Sequence, residues 1–411
     1  MKKVTIISAF IGTLIEVYDF TVFPFLIPIL SEVFFSSQTK NVAINFTILA
    51  YVVSYAIKPF GTIGFGYLID IYGRKKVLLF TTVLMTLATS AIGLLPPSIL
   101  GMYFGAGLII CRVIQGLAIS GEFSSAIIMS VEQGRKYPAL LGSLAFVGGS
   151  VGLLLANLSV FILLYLMPHD QIIQFAWRIP FLIGLIGCLF LLFIRNKIND
   201  STLDMIPVTS GFNSLIKSHK KELITTFIVS SLSASAFYIT FVLMTTYLSA
   251  SLNLHSHQQS ILITLITLLI YLSALPLGGI LADKIGVIRQ IKISSILYLL
   301  FSYIVFAVIP HINSTSCIIV LILFAMIQAL LNSALPAFIV LQFLPTQRGK
   351  ALAISYNISL TLFAGLMPYL FLTSENQLNP GITISICAAL SLMLLHFKGK
   401  KYGYLRSEPS Y

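Results

Sequence analysis

The chain reads as an all-α membrane protein: twelve transmembrane helices in two parallel six-helix halves around a central cavity. Three observations carry this expectation. Of 411 residues, 57% are hydrophobic and 9% are charged, whereas soluble domains carry roughly 25% charged residues. Apolar stretches long enough to cross a bilayer recur along the whole chain, each near or above the ~20 residues a spanning helix needs. The chain also resembles itself at an offset of 213 residues.

A water-facing surface cannot be built from so few charges, but a lipid-facing one can. The net charge of +12 would suggest a nucleic-acid partner in a soluble protein. Here the basic residues sit in short loops between apolar runs, so they report membrane topology instead. The four cysteines, Cys111, Cys188, Cys317 and Cys387, all fall inside apolar segments without the spacing of a metal site or redox pair. They read as small packing residues. Two lysines precede the first apolar run. That run is too long for a signal-peptide core and lacks a small-residue cleavage site, so it is expected to remain as the first span.

The spans are placed at 4–35, 42–69, 77–96, 99–130, 139–167 and 177–195, then 223–250, 260–283, 291–310, 316–343, 350–373 and 381–397. The polar stretch from Asn196 to Glu222 separates two sets of six. It divides the chain into an N-terminal bundle (1–195), a cytoplasmic linker (196–222), a C-terminal bundle (223–397) and a tail (398–411). Orientation follows from Lys and Arg. With the N-terminus in the cytoplasm, 21 of the 25 basic residues lie inside, and the outside loops keep only Lys40. The expectation is a multi-pass protein of the cell's inner membrane, with both termini cytoplasmic.

At the offset of 213, Gly66, Asp70 and Gly73 fall on Gly279, Asp283 and Gly286. Pro97 falls on Pro310, Gln115 on Gln328, Ser120 on Ser333 and Arg135 on Arg348. Matches at one offset across successive loops and a helix argue for a duplicated six-helix unit. An even number of spans per unit makes the copies parallel, with the cavity between them.

The loop after the second span reads Gly66-Tyr-Leu-Ile-Asp70-Ile-Tyr-Gly73-Arg74-Lys75-Lys76. It resembles the loop signature of the major facilitator superfamily, and its second copy, Gly279 to Gly286, strengthens the match. Arg112-Val-Ile-Gln115-Gly116 and Gly121-Glu122 are similar to that superfamily's fourth-span motif. Glu16-Val-Tyr18-Asp19-Phe20, Lys58-Pro59-Phe60-Gly61, Trp177-Arg178-Ile-Pro180-Phe181 and Ser355-Tyr356-Asn357 resemble its metabolite:proton symporter branch. Thr13, Val17 and Lys58 stand where the branch usually has Asn, Trp and Arg. Little follows the last span, so a long C-terminal coiled coil like that of the osmosensing betaine carrier is not expected. The resemblance implies solute transport. It also implies a latch that closes the cytoplasmic side through Gly66, Asp70, Gly73, Arg74, Glu132 and Arg135, with Asp283 in the second copy.

Charges inside a bilayer are expensive and mark functional candidates. Five lie away from span ends: Glu16, Asp19, Lys58, Arg112 and Glu122, all in the first half. Glu16 and Asp19 are three residues apart and share a helix face. Two carboxylates so close in a low dielectric resist being ionised together, which makes one of them a proton acceptor. Lys58 and Arg112 could pair with a carboxylate, and Arg112 could hold an anionic substrate group bidentately. The plainer reading is a fixed ion-pair network; for Glu122 it is a tie between the fourth span and its neighbours. Neutral polar groups, Tyr238, Tyr271, Gln328, Asn332, Tyr356 and Asn357, sit inside second-half spans. They could line a substrate pocket or merely satisfy interhelical contacts. Tyr18 and Gln115, within the matching motifs, join them as candidate solute contacts. Glycines such as Gly61, Gly64, Gly116, Gly149 and Gly152 suit close helix packing. Trp177 reads as an interface anchor, Arg178 as a headgroup or loop partner, and His255, His257 and His311 as solvated loop residues.

The expected function is proton-coupled symport of a small carboxylate-bearing organic solute by alternating access. Zwitterions such as proline or betaine come first, and di- or tricarboxylates next. An uncoupled facilitator or exchanger and a non-transporting solute sensor are the alternatives. No nucleotide loop, metal cluster or catalytic triad is recognisable, so an enzyme is not expected. The expected partners are a small organic solute, protons and the lipid bilayer, with no cofactor, metal or nucleic acid and a monomeric chain.

Overall fold

The structure, a computed structural model, describes residues 2–72, 74–95, 104–120, 122–134, 136–196, 212–373 and 379–397. Side chains are described for these apart from 2–9, 66–67, 69–71, 74–75, 78, 104, 122, 194–196, 212–214, 373 and 397. Gly73 and Arg135 therefore lie outside the described residues, and Gly66, Asp70, Arg74 and Glu122 are described only as helical backbone.

The first half contains α1 (Lys2–Phe25 continued by Ile27–Phe34), α2 (Lys40–Ala56 and Lys58–Tyr72), α3 (Arg74–Leu94), α4 (Phe104–Ala118 and Glu122–Gln133), α5 (Pro138–Leu166) and α6 (Ile179–Asn196). The second contains α7 (Lys220–Phe237, continued by π-helical turns to Ser251), α8 (His257–Ile285), α9 (Val287–Val308), α10 (Ser314–Leu341), α11 (Arg348–Leu360, a π-helical turn, then Met367–Thr373) and α12 (Pro380–Phe397). Among the described residues, nine helices have the length and hydropathy of a span. The bent pair in α1 adds one, and the shorter apolar helices Leu79–Leu94 and Pro380–His396 of α3 and α12 complete twelve.

Proline shapes the helices nearest the centre. α1 bends by 65° between Phe25 and Ile27, with Pro24 on one side of the break and Pro28 on the other. Pro59 interrupts α2 after Ala56. A proline removes the hydrogen bond to the carbonyl four residues earlier, here those of Phe20 and Tyr55. Both carbonyls find other donors: Arg112 Nη1 at 3.4 Å from the Phe20 oxygen and Thr361 Oγ1 at 3.0 Å from the Tyr55 oxygen. At the α8–α9 turn, Gly286 adopts φ 100°, a region where a side chain is strained.

Packing follows the internal repeat. α1 packs on α5, α2 on α4, α3 on α6 and α1 on α6; six helices later, α7 packs on α11, α8 on α10, α9 on α12 and α7 on α12. The halves meet through α5 against α8 and α2 against α11, again a related pair. α3, α6, α9 and α12 turn large apolar side chains outward, for example Leu87, Phe190, Leu300 and Ile386. In water such a surface would aggregate; against lipid it is neutral.

Candidate functional site

A cavity of about 80 Å³ lies between the halves, walled by α1, α2, α4 and α5 on one side and by α7, α10 and α11 on the other. Lys58, freed from helical continuity by the break before Pro59, is the one charged residue among the described residues that line it. Its ammonium sits 4.7 Å from the Phe20 ring centroid and 4.2 Å from that of Tyr55. Such cation–π contacts contribute about 2 kcal/mol when desolvated. Phe123, Phe146, Phe237, Tyr238 and Tyr356 add further rings, and Ser150, Ser230, Ser233, Asn332 and Asn357 add neutral polar groups.

The sequence candidates divide into two shells. Tyr238, Asn332, Tyr356 and Asn357 line the cavity, as does Lys58. Arg112, Tyr18, Gln115, Tyr271 and Gln328 do not line it; each is engaged behind it. Arg112 is fully buried, 4.5 Å from the Phe20 ring and 4.3 Å from the Phe23 ring. Its guanidinium donates to Gln115 Oε1 at 2.7 Å and Ser54 Oγ at 2.9 Å. Gln115 passes the chain on, donating to Thr89 Oγ1 at 2.9 Å. Tyr18 donates to the Pro180 carbonyl at 3.0 Å, beside a separate apolar cavity between α1, α5 and α6. Tyr271 accepts from Asn332 Nδ2 at 2.8 Å, while Asn332 Oδ1 accepts from Ser233 at 2.6 Å. Gln328 accepts from the Tyr298 hydroxyl and donates to the Ser233 carbonyl.

Glu16 and Asp19 are buried at 3% and 0% exposure, and neither lines the cavity. The Asp19 carboxyl points toward α6, where Cys188 Sγ donates to Oδ2 at 2.6 Å. The sequence reading treated all four cysteines as packing residues; all are free and buried, but Cys188 is also a donor.

Contacts join the halves at both ends. At the end where α1 begins and α12 finishes, Arg348 Nη1 donates to Glu132 Oε1 at 2.6 Å. Asp283 accepts from the amides of Ala139 and Leu140, both at 2.9 Å, at the start of α5. A carboxylate at a helix N-terminus completes unpaired amides and complements the dipole. At the opposite end, His257 Nε2 donates to the Phe25 carbonyl at the bend of α1, at 2.9 Å.

Four simpler readings need correction. His257 bridges the halves, and His255 meets Ser314 at 3.2 Å, so neither is merely solvated. Trp177 is fully buried, edge-on to Phe34 at 5.4 Å, because the Arg178 guanidinium and α6 cover it; it is not an interface anchor. Gly64 has open space where a Cβ would stand and makes no close helix contact. The cavity-lining phenylalanine rings and the Ser230–Ala236 run are not among the sequence candidates, although the small and polar residues of that run, midway along α7, are a visible signal for a cavity wall.

A family model described as Major Facilitator Superfamily matches residues 9–204 and 226–402, and the chain belongs to that superfamily. It is similar to the proline/betaine transporter of Escherichia coli K12, 28% identical over 416 residues, covering 94% of this chain and 81% of that protein. The proline/betaine transporter of Salmonella typhimurium LT2 is 27% identical over 417 residues with the same coverage. The fold is shared with a D-xylose-proton symporter, with a TM-score of 0.78 at 16% identity over 99% of each chain. The protein is a multi-pass membrane transporter of the major facilitator type and not an enzyme.

Proposed function

We propose that the protein is a proton-coupled symporter of a small zwitterion such as betaine or proline, working by alternating access. The observation that carries this reading is the Lys58 ammonium on the wall of a small cavity rich in aromatic rings. A zwitterion's carboxylate would meet Lys58, and its cationic end would lie over the remaining rings. A site needs about 10–15 Å³ per water-sized unit on this measure, so a cavity of about 80 Å³ suits a solute of roughly five to eight heavy atoms. Zwitterions fit that better than tricarboxylates. The relatives named as proline/betaine transporters support the same choice.

In this reading Asp19 and Glu16 carry the proton, since they are buried acids of α1, the helix that also lends Val17, Phe20 and Thr21 to the cavity wall. Arg112 holds α1 and α2 in register from behind and offers Asp19 a cationic partner in a second state. Glu132–Arg348 and Asp283–α5 close the cytoplasmic side, together with Gly66, Asp70, Gly73, Arg74 and Arg135 of the loop motif, and Glu122 ties α4 to its neighbours. His257–Phe25 closes the outside. Both termini are cytoplasmic in a bacterial inner membrane, the halves span 1–195 and 223–397, and the carrier works as a monomer.

The test is an uptake panel in proteoliposomes with and without an imposed pH gradient. Accumulation of labelled betaine or proline driven by the gradient is expected. Equal uptake with and without it would favour an uncoupled facilitator.

A further inference from the structure

Asp19 is held in a notch that the transport reading leaves unexplained. Its carboxyl is 0% exposed and faces α6. Oδ2 accepts from Cys188, while Oδ1 has no hydrogen-bond partner. One turn before Cys188 stands Gly184, where an added Cβ would collide with Oδ1. Thr89 of α3 closes the notch beyond Gly184. Among the described residues no cation touches the carboxyl: Arg112 is committed to Gln115 and Ser54, and Lys58 to the Phe20 and Tyr55 rings.

Gly184 and Cys188 lie four residues apart and so share one face of α6. The glycine gives the carboxyl room to approach the α6 backbone, and the thiol gives it one weak, neutral donor. An ionised carboxylate left there without a counter-charge would be severely penalised. A protonated acid carries no charge to compensate, and one of its oxygens still accepts from Cys188, so the notch suits the neutral form better than the ionised one.

We propose that the Gly184–Cys188 face of α6 is the seat that holds the Asp19 carboxyl while it carries its proton, with Cys188 as the positioning residue. The inference rests on the reading of Asp19 as a proton carrier. The seat keeps the loaded acid on the far side of α1 from the solute cavity. Releasing the proton requires Asp19 to leave α6, and that departure links its protonation to a movement of α1 against α6. The Arg112–Gln115–Thr89 hydrogen-bond chain ends at the wall of the same seat, so movement of the guanidinium and of the notch are mechanically joined.

Two measurements on the full chain in lipid test the seat. The first needs no solute: infrared spectra of the thiol S–H stretch, with the Cys188 band assigned by its loss in Cys188→Ser. Asp19→Ala should move that band toward the position of a free thiol; an unmoved band would overturn the seat. The second compares uphill accumulation of labelled betaine with its exchange across loaded vesicles. Cys188→Ala should cut uphill accumulation about tenfold while exchange persists, and Cys188→Ser, which keeps a donor, should restore it. Equal loss of accumulation and exchange in both variants would reduce Cys188 to a packing residue. Gly184→Ala alone should express poorly, and adding Asp19→Ala, which removes the atom it strikes, should rescue folding; failure of that rescue also counts against the seat. If Asp19→Asn accumulates betaine like the parent, the proton-carrier reading itself fails, whatever the S–H band shows.

Discussion

Lys58 and Arg112 are both buried first-half cations stacked on aromatic rings, yet their surroundings assign them different work. Lys58 borders the cavity, and its ammonium lies over the Phe20 and Tyr55 rings. Arg112 is spent on Gln115, Ser54 and the Phe20 carbonyl. Replacing Lys58 by Met should therefore weaken solute binding by roughly ten- to a hundredfold, the cost of one charge-assisted hydrogen bond, while the protein still folds. Arg112→Ala should instead lower thermal stability, because it strips donors from three buried acceptors. Measuring betaine affinity and melting temperature in both variants checks the division; a stable Arg112→Ala protein with tenfold weaker binding would reverse it. Asn332 and Tyr271 extend the logic to the second half. Asn332→Ala removes a cavity group directly, whereas Tyr271→Phe only releases Asn332 from behind. The first should weaken binding by about tenfold and the second by about threefold, with coupling to the pH gradient retained in both. A ratio of the opposite order in direct binding assays would place the solute against Tyr271.

The broken helices show how one residue type couples elements. Pro24 and Pro59 each free a carbonyl, and each carbonyl is taken by a side chain from another helix. The Tyr55–Thr361 bond crosses from α2 to α11 and lies where α11 enters its π-helical turn, Thr361–Leu366. π-Helical turns recur at functional sites and allow local rearrangement. Thr361→Val should destabilise the protein by about 0.6–1 kcal/mol, the usual worth of an interhelical hydrogen bond in a membrane. Pro59→Ala restores an amide that competes for the Tyr55 carbonyl, so it should slow solute exchange while leaving binding within about threefold. Exchange rates equal to those of the parent would show that α2 does not flex at this break.

At the scale of the molecule, the proposed transport cycle makes the contacts at the two ends opposed closures. Glu132–Arg348 and Asp283 join the halves at the end where α1 begins, and His257–Phe25 joins them at the other. Each is worth about 1 kcal/mol, enough to shift a two-state population about fivefold. Glu132→Gln should favour the inward-open state and lower labelling of a cavity cysteine, such as Ser150→Cys, by an impermeant thiol reagent from outside. His257→Ala should raise the same labelling. Changes of the same sign in both variants would contradict opposed closures. Cysteines placed at Ser36 and Ser218 test the orientation itself: the first should be labelled from outside and the second only after permeabilisation.

Architecture was legible in the sequence because it depends on bulk properties: hydropathy over each span and glycines, acids and glutamines repeated at one offset. The same repeat appears as paired helix contacts in the folded chain. The buried charges were legible too, since their cost in a bilayer singles them out wherever they point. Direction was not legible. Helical periodicity puts Glu16 and Asp19 on one face, but only neighbouring helices decide that Asp19 meets Cys188 of α6, 169 positions away, rather than the cavity. Gln115 and Gln328 hold equivalent places in the repeat, yet both turn to other helices. Asn332, one turn from Gln328, reaches the cavity instead. Hydropathy and spacing are properties of one segment, so the sequence alone determined spans, duplication and the inventory of polar groups. Which of those groups line the cavity, which brace helices and which meet Asp19 depends on contacts between distant segments, and only the tertiary structure decided that.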